Sequence, residues 1–594
     1  MGLACYAADR PPQPYTIAFT SFSPLNSDIF IADADGSNER PFLPGPELDA
    51  NASFSGDGQW LIFTSRRNGS SDIYRARPDG SGLDRLVEDP SYDDQAALSP
   101  DGNLLAFVSS RSGQADIWIL DLRTRSVRNL SQHPAGDFRP SWSPDGQWIA
   151  FSSDRASNHP RVPKNDFVIR HATAVYVVKV DGTGLRPMTM DQPFAGSPSW
   201  SPDGTRLAFY SAPLPEVVNI TTARRLRGTT QIETVDVRTG ERTSLTSGNG
   251  EKWSPRWLSN QQVAYVGGGP EGGIEYTNGV AGTRGQFNGP SWSPDGTRMV
   301  FHREVDRAWP PHRRWPSLDP QFKLIRTGVF PAYSPSGEQM ASNDQVTASL
   351  HNSLLLMKGD GTESRVLYAA ADKNALAPAW SPRGTEIAFG LGQFFQNFNG
   401  PILADIAVVQ PDGKGLRILT DGKANYAFPT WSRNGKHIAY RELRGGRSSL
   451  GILDFDTGKT RTLLSGSAHY NFPSWSPTRD LIAFTSDMDG DYEIYSIRAN
   501  GTGLRRLTNS PGNDAHNAWS PDGRWIAFAS ARGGFKDEAA LHPVNPQPYG
   551  EICVMRADGS DVRVLTDEPF EKGTPTWVPT AAPSGHSVGV EAAR

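Results

Sequence analysis

One short pattern, aromatic-Ser-Pro-Asp-Gly, returns along nearly the whole chain and limits what the chain can fold into more than any other feature. Three copies, Ser141–Gly146, Ser199–Gly204 and Ser291–Gly296, read Ser-Trp-Ser-Pro-Asp-Gly, and Trp519–Gly523 matches from the tryptophan on. Weaker copies centre on Phe54, Leu98, Trp257, Tyr333, Trp380, Trp431, Trp475 and Trp577. Most of these aromatic positions are spaced by roughly 40 to 58 residues, the length of one four-stranded sheet unit in a radial array. A large flat side chain at each repeat supplies apolar area to join one unit to the next.

Within a unit the strands follow from alternation and turn chemistry. Residues 472–508 serve as the example: a short strand Phe472–Ser476, a strand Leu481–Ser486, a polar loop, a strand Tyr492–Ser496, an Asn500-Gly501 turn and a strand Leu504–Thr508. Proline presets φ at the first turn position and glycine accepts positive φ at its end. The fold class is therefore all-β, a propeller array of about twelve four-stranded blades. Twelve exceeds the four to eight blades of an ordinary ring, which predicts two six-bladed propellers in tandem, with a five-plus-seven division left open. The chain begins with a second-strand motif, Tyr15–Thr20, and ends with a first-strand motif, Thr576–Pro579, so the two ends are expected to pair and complete one blade. The expected domains are a tail 1–14, a first propeller 15–288 completed by the strand near 574–580, a second propeller 289–573, and a tail 581–594. The blades after Trp257 and Trp292 lack the Asp-Gly turn, and their strand count is open.

Composition agrees and excludes several classes. The 594 residues include 59 glycines and 47 prolines, which suit many short strands and turns. Net charge is -5, so no global positive field invites nucleic acid. No apolar run reaches the roughly 18 residues of a membrane span. Cys5 and Cys553 lie at opposite ends; they form no metal-ligand spacing, and a bridge between them stays open. The small apolar start, Met1–Ala8, has no basic region and reads as the remnant of a trimmed signal peptide.

With Ser-Pro-Asp-Gly turns, Ile-Ala-Phe strands and Asp-Gly-Thr-Gly-Leu-Arg turns, nearly the whole chain resembles the TolB-like WD-type β-propellers. The stretch from Gly512 through Gly534–Ala540 to Glu551 is similar to a long subgroup of that family, which supplies no catalytic residues to carry over. The resemblance implies a periplasmic or secreted location and a binding role for a protein, peptide or glycan. The family's best-known members place a helical domain before the propeller and bind Tol–Pal envelope partners; that domain is expected to be lacking here. Related propellers precede a peptidase domain or act as polysaccharide lyases, and no peptidase domain is expected to follow. A monomer is the expected state.

Strand order puts the second-to-third loops and the inter-blade loops on one face, and the long insertions fall there: 155–173, 212–230, 304–321, 392–404 and 532–549. They carry His159, Arg303, Glu304, Trp309, His312, Arg313, Arg314, Trp315 and Lys536, cations interleaved with aromatics. Arginine forks bind carboxylate or sulfate bidentately while tryptophan faces stack on sugars, which suits an acidic saccharide; a solvated loop with tryptophans packed on the next blade is the plainer reading. Asp514-Ala-His516 and Asp137-Phe-Arg139 stand just before innermost strands, at the channel mouth. If the protein were a lyase, His516 or Tyr549 would abstract the proton beside a uronate carboxylate that Arg313 neutralises. No cofactor is expected. A divalent metal gathered in the channel by His159, His171 and His516 stays open, and Asp487–Glu493 reads as a turn because it lacks the terminal glutamate of a calcium loop. No Gly-x-Ser-x-Gly elbow or phosphate-binding glycine loop is present.

Overall fold

A computed structural model describes residues 15–21, 23, 26–155, 173–190, 194–212, 230–269, 272–306, 312–343, 353–393, 402–538 and 550–579. Every regular element among them is a strand. The strands form four-stranded units, two of which merge into an eight-stranded sheet through the single parallel bridge Ala404–Asn425. Second strands such as Leu61–Ser65 and Trp525–Ser530 are buried throughout, because a neighbouring blade covers each of their faces. Fourth strands are short and exposed, as in Arg505–Arg506.

The blades close into two rings of six. The first ring has innermost strands Asp49–Phe54, Asp93–Leu98, Asp137–Trp142, Ala195–Trp200, Lys252–Ser259 and Asn288–Trp292, each packed on the next around the circle. The second has Val329–Tyr333, Asn374–Trp380, Asn425–Trp431, Tyr470–Trp475, Asp514–Trp519 and Lys572–Trp577. The unit after Trp257 has four strands of its own.

The two rings exchange strands where they join. Tyr15–Ser21 pairs antiparallel with the C-terminal strand, as its motif predicts, but the blade so formed belongs to the second ring. The next strand, Asn26–Asp33, crosses to the first ring and pairs with Arg298–Asp306. After Asp306 the chain returns: Arg313–Trp315 and Phe322–Thr327 become the outer strands beside Tyr15–Ser21, the latter in parallel. The first ring, residues 26–306, is thus inserted into one blade of the second. The expected boundary at 288 and the return of the C-terminal strand to the first ring are corrected accordingly. Motifs report a strand's rank within a blade, and nothing in them reports which ring the blade completes.

Three repeated bonds explain why the motif recurs. The tryptophan indole donates to a backbone carbonyl on the innermost strand of the preceding blade: Trp142 to Ala97, Trp200 to Ser141, Trp431 to Ala379 and Trp577 to Ala518, at 2.9–3.1 Å. In the turn, Ser201 donates to Asp203 at 2.6 Å, and Asp203 accepts the Thr205 amide at 3.0 Å. At the opposite end, the aspartate opening an innermost strand accepts from an arginine just beyond the second strand. Asp93 is held by Arg111, Asp137 by Arg155 and Asp514 by Arg532.

That lock is a buried one. Burial pushes Asp137 and Asp514 up to about 6 and Asp93 to about 7, against the pull of the arginines. A carboxyl whose folded pKa exceeds its unfolded value binds protons better folded, so its stabilisation is full below about pH 4 and is lost as pH rises through 6 to 7. At about 1.36 kcal/mol per unit, such shifts are worth at most about 3 kcal/mol for Asp137 and Asp514 and about 4 kcal/mol for Asp93. Unfolding free energy from urea titrations is expected to decline between pH 4 and 7, and Asp137→Asn to remove its share of the decline; an unchanged slope would contradict the assignment.

Candidate functional site

Each innermost strand carries a register shift near its middle, with a second one at the end of Lys252–Ser259, and the residue at the first shift is left-handed and turned toward the channel. In the first ring these residues are Asn51, Gln95, Arg139, Ser197, Ser254 and Gly289. In the second they are Phe330, Ala377, Phe428, Phe472, His516 and Thr574. The first channel is therefore polar and the second apolar. In the second, Phe428 and Phe472 meet edge to face at 4.6 Å, and His516 meets Phe472 at 4.2 Å. The imidazole keeps a partial opening into the channel space, yet protein surrounds it closely enough that desolvation pulls its pKa down to about 3. It is neutral across the physiological range and belongs to an aromatic plug.

The polar channel is filled from the other ring. After the second strand Trp525–Ser530, the segment Phe535–Glu538 leaves the second ring and enters the first. Phe535 packs with Phe138, Trp142 and Phe151. The Lys536 carbonyl accepts from the Gln95 amide at 3.2 Å, and Asp537 pairs with Arg139 through both carboxylate oxygens. Glu538, wholly buried, accepts from Ser152 (2.5 Å), the Ser197 amide (2.5 Å), the Ser197 hydroxyl (2.8 Å) and Tyr210 (2.9 Å). Gly196 makes the room: a Cβ there would lie 2.5 Å from a Glu538 oxygen and 2.6 Å from the Tyr210 hydroxyl. Lys536 points back to Glu551 and Asp567 of its own ring, and their charges outweigh the effect of burial, raising its pKa. Burial alone would lower the Arg139 pKa, but Asp537 more than offsets it and keeps the guanidinium charged.

Further contacts join the same faces. Asp567 accepts from the Tyr92 amide (3.0 Å) and the Ser110 hydroxyl (2.5 Å), and Arg66 pairs with Glu568. Both strand crossings also leave and enter at loop ends. The loop-rich faces of the two rings are turned toward each other.

Two spaces remain between them. A chamber of about 380 Å³ lies against the first channel, and the charged side chains lining it are the carboxylates Asp94, Glu251, Glu304, Asp537 and Glu568 with Arg66 and Arg139. Asp94 accepts from Asn51 at 2.8 and 2.9 Å and from Thr64 at 2.5 Å, and His302 Nδ1 accepts the Asn51 amide at 3.2 Å. Beside it, a cleft of about 290 Å³ is lined by Arg66, Arg67, Arg313, Arg314 and Trp315 with Glu47. Leu48 and Arg66 line both spaces. Burial pulls Arg66 and Arg326 down to about 10, and the neighbouring Arg313 charge adds to the effect on Arg326.

The structure brings together Arg139, Glu304, Arg313, Arg314 and Trp315 of the residues singled out by sequence. Trp315 is buried, with the Arg66 guanidinium 4.9 Å over its ring, so that face is not open to a sugar. Asp137 and Asp514 belong to the scaffold lock described above. Arg303 lies on Phe30 and pairs with Glu39 at the surface, and burial lowers the half-buried His312, 6.3 Å from the Tyr333 ring. His516 is on an innermost strand, whereas Arg313 is on the outermost strand of the adjoining blade, three strand spacings or roughly 14 Å outward. His159, His171, Trp309 and Tyr549 lie outside the described residues. Among the described residues no three of His, Cys, Asp and Glu form a metal-binding group, and Cys553 is a core thiol that burial pushes up to about 12. Asn51, Asp94, Gln95, Ser197 and Glu251 escaped the sequence reading.

A family model described as the TolB beta propeller domain matches residues 399–538, and one described as the Tricorn protease N-terminal beta propeller domain matches residues 72–269. A TolB homolog from Chlorobium luteolum is 31% identical over 133 residues, 22% of this chain and 28% of that protein. The chain thus spans just over a quarter of the length of that curated relative. Among solved structures, tricorn protease is 10% identical with a TM-score of 0.29, over 89% of this chain and 63% of that one. TolB from Acinetobacter baumannii is 15% identical with a TM-score of 0.23, over 82% of each. An oligogalacturonate lyase in complex with manganese is 15% identical with a TM-score of 0.22, over 82% of this chain and 96% of that one.

The inserted segment makes a sharp expectation. Arg139→Ala strands the buried Asp537 carboxylate and is expected to cost about 3–5 kcal/mol in chemical denaturation. Gly196→Ala, whose new methyl group meets Glu538, is expected to expel the segment and raise hydrogen exchange at residues 535–538. Native protection in the Gly196 variant would refute this packing.

Proposed function

We propose, for this member of the TolB-like β-propeller family, a role as an extracytoplasmic binding protein that holds a short peptide between its two rings. The peptide's ammonium end sits in the acidic chamber and its carboxylate reaches the arginine cleft. The observation that carries this reading is the pairing of two adjoining spaces of opposite charge across a shared wall of Leu48 and Arg66. A carboxylate-lined chamber attracts an ammonium group and repels a uronate chain, while arginine forks take a carboxylate bidentately. Both spaces are built within one chain, so this reading needs no second copy. The family resemblance supports the extracytoplasmic location, and no helix among the described residues is long and apolar enough to cross a membrane.

A lyase on acidic glycans has less in its favour. His516 sits in an apolar plug far from Arg313, and the Trp315 ring is already covered.

Calorimetric titration with short peptides tests the proposal. Peptides with free ends are expected to bind; N-acetylation and C-amidation are each expected to weaken binding at least tenfold, about 1.4 kcal/mol. Glu251→Gln is expected to blunt the first effect and Arg314→Ala the second. Equal binding of doubly blocked peptides, or preference for a uronate oligosaccharide, would overturn it.

A further inference from the structure

A second charged feature lies on the tight-turn side of the second ring, away from the loop-rich faces. Between the blades beginning at Asn425 and Tyr470 runs an open groove of about 710 Å³, lined by Arg433, Arg461, Arg479 and His437 with Asp480. Arg433, Arg461 and Arg479 are exposed. Among the described residues, Arg433 and Arg479 have no carboxylate partner, and their contacts are backbone ones, such as Arg433 to the Thr478 carbonyl at 3.5 Å.

The repeat shows that this charge is a departure. The turn after the innermost strand carries Asp57, Asp101, Asp145, Asp203 and Asp295 in five blades of the first ring and Asp522 in the second, while blades away from the groove have Asn260, Ser336 and Arg383 there. In the two blades flanking the groove the same position is Asn434 and Thr478, and arginines stand where proline and glycine usually do, at Arg433 and Arg479. The second turn has changed likewise: Asn500 replaces the aspartate found at Asp79, Asp181, Asp360, Asp412 and Asp558. Two of these three neutral residues keep the turn bonds. Asn434 accepts from Ser432 at 2.8 Å and from the Lys436 amide at 3.0 Å, and Asn500 accepts from the Thr502 amide at 3.0 Å, as Asp203 does from Thr205. Turn geometry therefore does not require the loss of the carboxylates at Asn434 and Asn500, nor the gain of two arginines beside them.

We infer that this groove binds an acidic peptide segment of a partner protein through its carboxylates. Arginine forks match carboxylates bidentately. Trp475, the groove's one tryptophan, is buried, leaving no flat face for a sugar ring. This site is independent of the inter-ring cleft.

The test is fluorescence anisotropy with a labelled glutamate- and aspartate-rich decapeptide, blocked at both ends so that the inter-ring cleft is not engaged. Binding is expected at low salt and to weaken as salt rises. Arg433→Ala/Arg479→Ala is expected to lower affinity at least tenfold. Asn434→Asp/Asn500→Asp, which restores the repeat's own turns and so preserves folding, is expected to do the same while leaving the urea midpoint unchanged. Wild-type affinity in the Asn434/Asn500 variant, absence of binding at low salt, or tighter binding of a sulfated oligosaccharide of equal charge would each overturn the inference.

Discussion

Burial of three consecutive charged side chains, Lys536, Asp537 and Glu538, is the constraint around which the two rings are arranged. Removing such groups from water costs several kcal/mol each unless every one is met. Each is met by a different set of partners: Lys536 by Glu551 and Asp567, Asp537 by Arg139, Glu538 by Ser152, Ser197 and Tyr210. One end of the segment is thereby satisfied in the second ring and the other in the first. The segment holds the loop-rich faces together, and the chamber and cleft are what remains unfilled between them.

The strand exchange serves the same end by covalent means. Because residues 26–306 are inserted within a single blade, the rings are linked by two chain crossings at one edge. The Phe535–Glu538 segment adds a contact that runs into the channel itself.

Much of the fold was legible because its signals are local. Pro-Asp-Gly and Asp-Gly turns and the aromatics on the innermost strands mark the rank of most strands, and the pairing of Tyr15–Ser21 with the C-terminal strand followed from rank alone. Ring membership was not legible, since it depends on where Asn26–Asp33 pairs, and that strand looks like any third strand. The channel lining could have been read: in eleven blades the left-handed residue stands three positions before the repeat's aromatic, Arg139 before Trp142 and His516 before Trp519 among them, and in the twelfth Gln95 stands three before Leu98. The exposed chemistry of the long loops misled in one respect. Lys536 looks like a ligand contact in sequence, yet it pairs with buried Glu551 and Asp567, because a charged residue in a loop carries no mark of what will cover it; Asp137 opens an innermost strand and is held by Arg155 of its own blade.

The most direct measurement replaces Phe535 with the photoreactive p-benzoylphenylalanine, a near-conservative change in an apolar pocket, and maps its crosslinks by mass spectrometry. The arrangement predicts capture of first-ring peptides containing Phe138 and Phe151. Crosslinks confined to second-ring peptides would contradict it.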